Sequence, residues 1–345
     1  MKFQRIEKET VILDPQNDMQ PRKVLLEVRS DPLTGRQTRI GHFRALQWDR
    51  PDIDKLVAGT ESWCPFCPER VMNATPAFPV NIIPEGRLVS GDKVLFPNIA
   101  PYDALGAVAT LGAEHYIPMA EIEAERIAGG IALACSFFRK TQAAGHPESV
   151  YHLISWNYMP ASGSSLIHPH LQVFATASPP NRLQAELKAA ESYYSDRGSV
   201  YWDDLITIEK QKKNRYLGDI GRTHWLAAFA PLGTVGDVIG IVEDVQTTLE
   251  LQPEDILDMA TGLTRAMAGY DRLGLYNFNV SIFPGRKEDR HMRLHIVFSP
   301  RIYFNPSLGT PDAAALRTLF GDSVCMALPE TIAAKLKTEF SQTHG

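Results

Sequence analysis

The sequence predicts an α+β fold built from one unit used twice, with antiparallel sheets packed against helices. Three observations carry that expectation. The order helix, strand, small-residue loop, histidine-bearing strand occurs once between residues 121 and 175 and again between 253 and 298. A chain of 345 residues exceeds the usual single-domain size, which favours two domains or one duplicated unit. Hydrophobic residues at 44% and charged residues at 22% are ordinary for a globular chain and far from the composition of a disordered one. The expected division is 1–200 and 201–345.

Along the chain, residues 24–28 (Val-Leu-Leu-Glu-Val) read as a strand, followed by a turn at Asp31-Pro32-Leu33-Thr34-Gly35 and a basic stretch with Arg36, Arg39 and Arg44. Prolines at 51, 65, 68, 76, 79, 84, 97 and 101 forbid long helices over 48–103, so structure there must lean on strands, tertiary contacts or a metal. Over 121–140, Ile127, Ile131, Ala134, Cys135 and Phe138 recur at helical spacing behind acidic Glu121, Glu123 and Glu125, which suit a helix N-terminus. A strand at 150–156, a Gly/Ser loop at 159–165 and an extended run at 167–175 follow. The polar stretch 203–222 is expected to connect the halves. The second half offers strands at 225–230 and 238–242, and a helix after Pro253 with Ile256, Met259, Leu263, Met267 and Tyr270 on one stripe. Strands at 276–283 and 295–298 complete it.

A net charge of −5 argues against a broad electrostatic grip on nucleic acid or an anionic membrane, while allowing a local basic pocket for phosphate. The longest nearly apolar run, 127–138, is too short to span a bilayer, and the first 14 residues are polar and charged, so a cytoplasmic location is expected. Four cysteines in so long a chain do not make a disulfide scaffold, but Cys64 and Cys67 form a C-x-x-C pair, which puts metal or redox chemistry in view.

The most informative segment is His168-Pro169-His170-Leu171-Gln172. In an extended strand side chains alternate faces, so His168, His170 and Gln172 would project together toward one ligand. The preceding Gly163-Ser164-Ser165 supplies backbone and hydroxyl donors of the kind phosphate oxygens need. Cys64 and Cys67 can hold two corners of a tetrahedral zinc, with histidines completing the shell. A redox pair would instead expect a strand before the motif and a helix starting at it, which Pro68, Pro76 and Pro79 fit poorly.

Taken together, the C-x-x-C pair, Gly112-Ala113-Glu114-His115 and His168-Pro169-His170-Leu171-Gln172 resemble the galactose-1-phosphate uridylyltransferase family, the transferase branch of the histidine-triad superfamily. The likeness extends from about Asp31 to about Ser299. It includes the 31–35 turn with Arg44 behind it, Asn157 eleven positions before His168, His224-Trp225-Leu226-Ala227, and His291-Met292-Arg293-Leu294-His295. The resemblance implies duplicated histidine-triad-like units, a zinc held by Cys64, Cys67, His115 and His168, and His170 as nucleophile on the α-phosphorus of a nucleoside diphosphate sugar. It gives Gln172 a non-bridging phosphate oxygen, with Gly163, Ser164 and Ser165 holding others, and makes Arg44, Asn98 and Asn157 substrate contacts. It further implies a homodimer acting on a nucleotide sugar and a sugar phosphate by ping-pong transfer, of the UDP-glucose–hexose-1-phosphate uridylyltransferase type.

Family members with a second metal, commonly iron, bind it through a glutamate and three histidines. Here Glu186 and His295 match two positions, while Val297 and Phe283-Pro284-Gly285 lack the others, so that site is expected to be lost. An ADP-sugar or dinucleoside polyphosphate phosphorylase of the same superfamily is the nearest rival. A non-enzymatic zinc module binding nucleic acid would need a basic, aromatic-studded face that the charge balance does not suggest.

Overall fold

The computed structural model describes residues 1–41 and 48–341, so Arg44 lies outside the described residues. The chain opens with two long antiparallel strands, β1 (Arg5–Asp14) and β2 (Gln20–Ser30), and β3 (Gln37–Gly41) pairs with β2. The expected strand at 24–28 is the middle of β2. Nothing in the sequence announced β1, because nine of its ten residues are exposed and no alternating apolar face exists to read. In the turn before β3, Asp31 Oδ1 accepts from the Thr34 amide at 2.8 Å and from its hydroxyl at 2.8 Å, and Gly35 takes the left-handed φ of 75° that closes it.

The proline-rich stretch holds only short elements: α1 (Ile53–Val57), α2 (Pro68–Ala74), β4 (Leu88–Ser90) and β5 (Lys93–Pro97), before β6 (Leu105–Thr110). The long helix α3 (Ala124–Ala143) buries the expected stripe, and Glu123 stands at its N-cap position without a side-chain cap bond. β7 (Tyr151–Tyr158) and β8 (His170–Thr176) follow, then α4 (Asn181–Arg197) and α5 (Tyr201–Lys212). The expected connection over 203–222 is thus mostly α5 and β9 (Tyr216–Ile220). Its buried stripe of Trp202, Leu205 and Ile206 packs on Leu226 and Ile241 across an otherwise polar helix.

After β9 come β10 (Thr223–Ala227), β11 (Val238–Val242), α6 (Pro253–Arg272), β12 (Asn277–Phe283) and β13 (His295–Arg301). A small hairpin of β14 (Tyr303–Asn305) and β15 (Thr310–Pro311), then α7 (Ala315–Thr318), β16 (Ser323–Cys325) and α8 (Pro329–Phe340), complete the chain. β16 joins β3 in a four-stranded sheet ordered β1-β2-β3-β16.

The main sheet has ten strands in the order β4-β5-β6-β8-β7-β12-β13-β11-β10-β9, every neighbour antiparallel. The α3-β7-β8 unit and the α6-β12-β13 unit meet where β7 pairs with β12, so the repeated grammar becomes one continuous sheet. One face carries Ile154, Trp156, Leu171, Val173, Phe278, Val280 and Phe298 into a core with α3, α6 and α8. The other face, freed of those helices, carries the polar residues of the site. Among the described residues no helix is long and apolar enough to cross a membrane.

Candidate metal centre and active site

Four ligands from three separate loops converge. Cys64 follows the short turn at Glu61–Trp63, Cys67 caps the start of α2, His115 lies beyond β6, and His168 stands two residues before β8. All four are ready to offer one ligand atom each within 4.8 Å of the others; Cys67 Sγ is 3.4 Å from His115 Nδ1 and 3.8 Å from His168 Nδ1. A tetrahedral ion with bonds of about 2.0–2.3 Å holds its ligands about 3.3–3.8 Å apart, so the donor set fits zinc.

The outer hydrogen bonds agree. His168 Nε2 donates to the Gly112 carbonyl at 2.9 Å. His115 Nε2 donates to Thr60 Oγ1 at 2.8 Å, whose own proton goes to the Val57 carbonyl at 2.6 Å. Both rings therefore carry their proton on Nε2 and turn an Nδ1 lone pair inward. Burial pushes His168 down to about 4 and moves His115 in the same direction, while burial and the adjacent Cys64 thiol raise Cys67 to about 11. A cation entering here would displace thiol protons but meet imidazoles already neutral.

A helix does start at the C-x-x-C pair, with Pro68 in its first turn, where proline is at home; the argument that Pro68 spoils a helix there fails. What separates this site from a redox pair is the preceding 3-10 turn in place of a strand, and the two histidines beside the thiols.

His170 opens β8, and its Nδ1 donates to the His168 carbonyl at 2.7 Å, leaving Nε2 as the free lone pair. The strand begins later than the expected 167, so strict alternation joins only His170 and Gln172; His168 precedes the strand and turns its Nδ1 toward Cys67. Burial lowers the basicity of His170 and the bond to the His168 carbonyl partly restores it, which keeps the ring neutral near pH 7. Phe66, from within the C-x-x-C loop, meets the His170 ring edge-on at 5.1 Å.

Gln172 Oε1 accepts from Asn98 Nδ2 at 2.8 Å, so its own amide N–H₂ is left to donate; Asn98 Oδ1 is in turn tied to the Ala100 amide at 2.9 Å. Asn157 Oδ1 accepts from Asn279 Nδ2 at 2.7 Å, which also reaches the Ser162 carbonyl at 2.9 Å, while Asn279 Oδ1 accepts from Arg301 at 2.8 Å. Asn279 and Arg301 were missed in the sequence. They lie over a hundred residues from Asn157 and outside every motif singled out above. In the loop, the Ser164 hydroxyl donates to the Leu166 carbonyl at 2.6 Å and the Gly163 amide to the Pro160 carbonyl at 2.9 Å, while Ser165 is exposed. Both loop donors are spent internally as the chain stands.

The two residues matching a second metal site, Glu186 and His295, stand side by side. His295 Nε2 lies 3.3 Å from Glu186 Oε2, and its ring is sandwiched by Trp202 at 4.0 Å and Phe283 at 5.0 Å. Val297 packs with Phe283 and Leu183 in an apolar cluster. Among the described residues, the cluster of Cys64, Cys67, His115 and His168 is the one group of three or more potential metal ligands.

No known family profile matches the chain. An uncharacterised protein from Archaeoglobus fulgidus is 31% identical over 320 residues, covering 92% of this chain and 93% of its own length. A galactose-1-phosphate uridylyltransferase from Haemophilus influenzae is 28% identical over 149 residues, 41% of this chain and 42% of that protein. Among solved structures, an ADP-glucose phosphorylase from Arabidopsis thaliana with bound ADP-glucose superposes with a TM-score of 0.66 at 16% identity, covering 90% of this chain and 98% of that one. A uridylyltransferase superposes with a TM-score of 0.64 at 18% identity, over 91% and 98%. The chain therefore belongs to one family with the archaeal protein, a family of galactose-1-phosphate uridylyltransferase-like fold.

Proposed function

We propose that the protein is a nucleotidyltransferase that moves a nucleoside monophosphate between phosphorylated sugars through a covalent bond to His170. The observation that carries the reading is the bond from His170 Nδ1 to the His168 carbonyl, which leaves Nε2 as the only ring nitrogen with a lone pair, beside the free amide of Gln172. In the first step Nε2 attacks the α-phosphorus of a nucleoside diphosphate sugar, the bond to the bridging oxygen breaks, and the sugar phosphate departs with that electron pair. In the second step a phosphate oxygen of the acceptor attacks the same phosphorus and His170 leaves. Dividing one displacement into two lowers each barrier.

Gln172, oriented by Asn98, donates to a non-bridging oxygen as charge shifts onto it. Asn157 offers its remaining amide hydrogens to the sugar phosphate, Arg44 pairs with a phosphate, and Ser164 and Ser165 hold further oxygens once the loop closes on substrate. Zinc fits the Cys64, Cys67, His115 and His168 set, where four protein ligands leave no open position. Held by these four residues, it would tie the C-x-x-C loop and the loop beyond β6 to the entrance of β8, next to the carbonyl that orients His170.

We assign UDP-glucose and a hexose 1-phosphate as donor and acceptor in a cytoplasmic homodimer with halves at 1–200 and 201–345. The fold shared with an ADP-glucose phosphorylase supports a second reading, in which the base is adenine and the acceptor is inorganic phosphate. Isotope exchange tests the two-step route. Labelled glucose 1-phosphate should enter UDP-glucose or ADP-glucose with no third substrate present, and the base that supports exchange identifies the donor. Absence of exchange with both donors, in protein that turns over a complete substrate set, would exclude the covalent intermediate.

A further inference from the structure

The face of the main sheet that carries His170 continues across β7 to β12 and β13, where α4 and α5 begin to cover it. Gln172 stands opposite Ser155, Ser155 opposite Ser281, and Ser281 opposite Val297; one row along, Asn157 stands opposite Asn279 and Asn279 opposite Ser299. Antiparallel register partners share a face, so His170 and Gln172 look out on the same side as this row. Against β12 and β13, at the end of the row, lies a pocket of about 270 Å³. At about 4.8 Å per strand, it sits about 10–14 Å across the sheet from β8.

Three guanidinium groups line this pocket: Arg182, Arg301 and Arg317. Each is held in place. Arg182 Nε donates to Glu186 at 2.8 Å and its plane lies 4.4 Å over Phe283. Arg301 bonds Asp312 through Nε at 2.8 Å and Asn279 through its terminal nitrogen at 2.8 Å. Arg317 donates to the Leu232 carbonyl at 2.7 Å and lies 3.6 Å from the other oxygen of Asp312. Glu186 and Asp312 pair with these cations directly, and the Asp237 carboxylate, held by the Leu232 and Gly233 amides, stands nearby. Among the described residues, the hydroxyls of Ser281 and Ser299, which also line the pocket, have no hydrogen-bond partner. Rigid guanidinium forks with unspent donors beside free hydroxyls are the recognition chemistry of an oxyanion.

We propose that this pocket holds a second anionic group, a phosphate or a carboxylate, at the far end of the sugar phosphate whose other phosphate reacts at His170. The inference rests on the nucleotidyltransferase reading for the reacting end alone. The gap between β8 and the pocket is crossed by one sugar ring and its exocyclic arm, with Asn157 and Asn279 beneath it. A phosphate bonded at His170 does not itself reach the arginines, so the pocket selects among sugars by their distal substituent. A neutral hexose phosphate would leave Arg182, Arg301 and Arg317 solvated and gain nothing from them.

Titration calorimetry of the full-length protein with glucose 1-phosphate, glucose 1,6-bisphosphate and glucuronic acid 1-phosphate tests this. The ligand carrying the right second anion should bind at least about tenfold more tightly than glucose 1-phosphate, and whether the bisphosphate or the uronate gains identifies the group as phosphate or carboxylate. That gain should vanish in Arg301→Gln. It should also fall in Arg182→Gln, a partly exposed position that keeps the test open if loss of the Arg301–Asp312 pair disturbs folding. Equal affinities for all three ligands would overturn the proposal, as would a gain untouched by both variants. The gain with no nucleotide exchange would instead sink the His170 reading and leave the pocket assigned.

Discussion

The bond from His170 Nδ1 to the His168 carbonyl decides the chemistry available at this strand end, because it fixes which ring nitrogen keeps a free lone pair. Substituting His170 by alanine should abolish exchange and transfer while leaving the fold intact, since the side chain makes no bond beyond that carbonyl and an edge contact with Phe66. Asn98 acts one step back, holding the Gln172 carboxamide so that its N–H₂ faces outward. Asn98→Ala should lower kcat about tenfold or more with little change in KM, as expected when a donor tuned to the transition state loses its orientation. A rise in KM alone would assign Asn98 to ground-state binding of ribose or base. The short spacings C-x-x-C and His-Pro-His-Leu-Gln made the Cys64, Cys67, His115 and His168 cluster and the neighbouring His170–Gln172 pair legible in the sequence. Asn279 and Arg301 were not, because ordinary polar residues acquire a role only when β7 and β12 pair.

At the scale of elements, the metal loops and the helices behind the sheet carry separate tests. Thr60 receives the outer proton of His115 and passes its own to Val57. Thr60→Val should weaken zinc about tenfold to a hundredfold in chelator competition, because the ligand loses the partner that fixes its tautomer. An unchanged affinity would show that the ring needs no such partner. On α6, a methyl group added at Gly262 would lie 2.0 Å from the buried indole of Trp225. Gly262→Ala is therefore expected to destabilise the protein by about 2 kcal/mol or more by denaturant unfolding, despite alanine's better helix propensity. The long helices were readable from their apolar stripes, and β8 from its alternation. Strand β1 lacked any buried face, and α5 hid a narrow buried stripe among charged residues, so periodicity missed the first and mistook the second for a connection.

For the whole molecule, the repeated order of elements runs through one ten-stranded sheet, and its two units differ in their chemistry. Both β8 and β13 begin with a histidine whose Nδ1 meets the carbonyl two residues back, His170 at 2.7 Å and His295 at 3.1 Å. The His170 ring stands beside the Gln172 amide and Phe66, whereas His295 is closed off by Glu186, Trp202 and Phe283.

Buried groups also set how the fold answers to acid. Burial holds His152 down to about 4 from its ordinary 6.5. Burial opposes ionisation of Glu186 and Glu330, yet Arg182 and His295 on the first, and Arg29 and Arg215 on the second, hold them near 2, below the ordinary 4.5. In all three the unfolded chain binds protons more readily than the folded one. Stability from these groups is thus complete above about pH 6.5 and falls as pH drops toward 4, then more steeply below about 4.5. Urea midpoints measured from pH 7.5 to pH 4 should decline monotonically; a flat profile would contradict the burial of His152.

The central claim is the covalent histidine. Intact mass of the protein after mixing with UDP-glucose or ADP-glucose, beside His170→Ala, tests it most directly. The account predicts a nucleoside-monophosphate adduct on the wild type with one donor and none on the variant. No adduct with either donor, or the same adduct on His170→Ala, would contradict it.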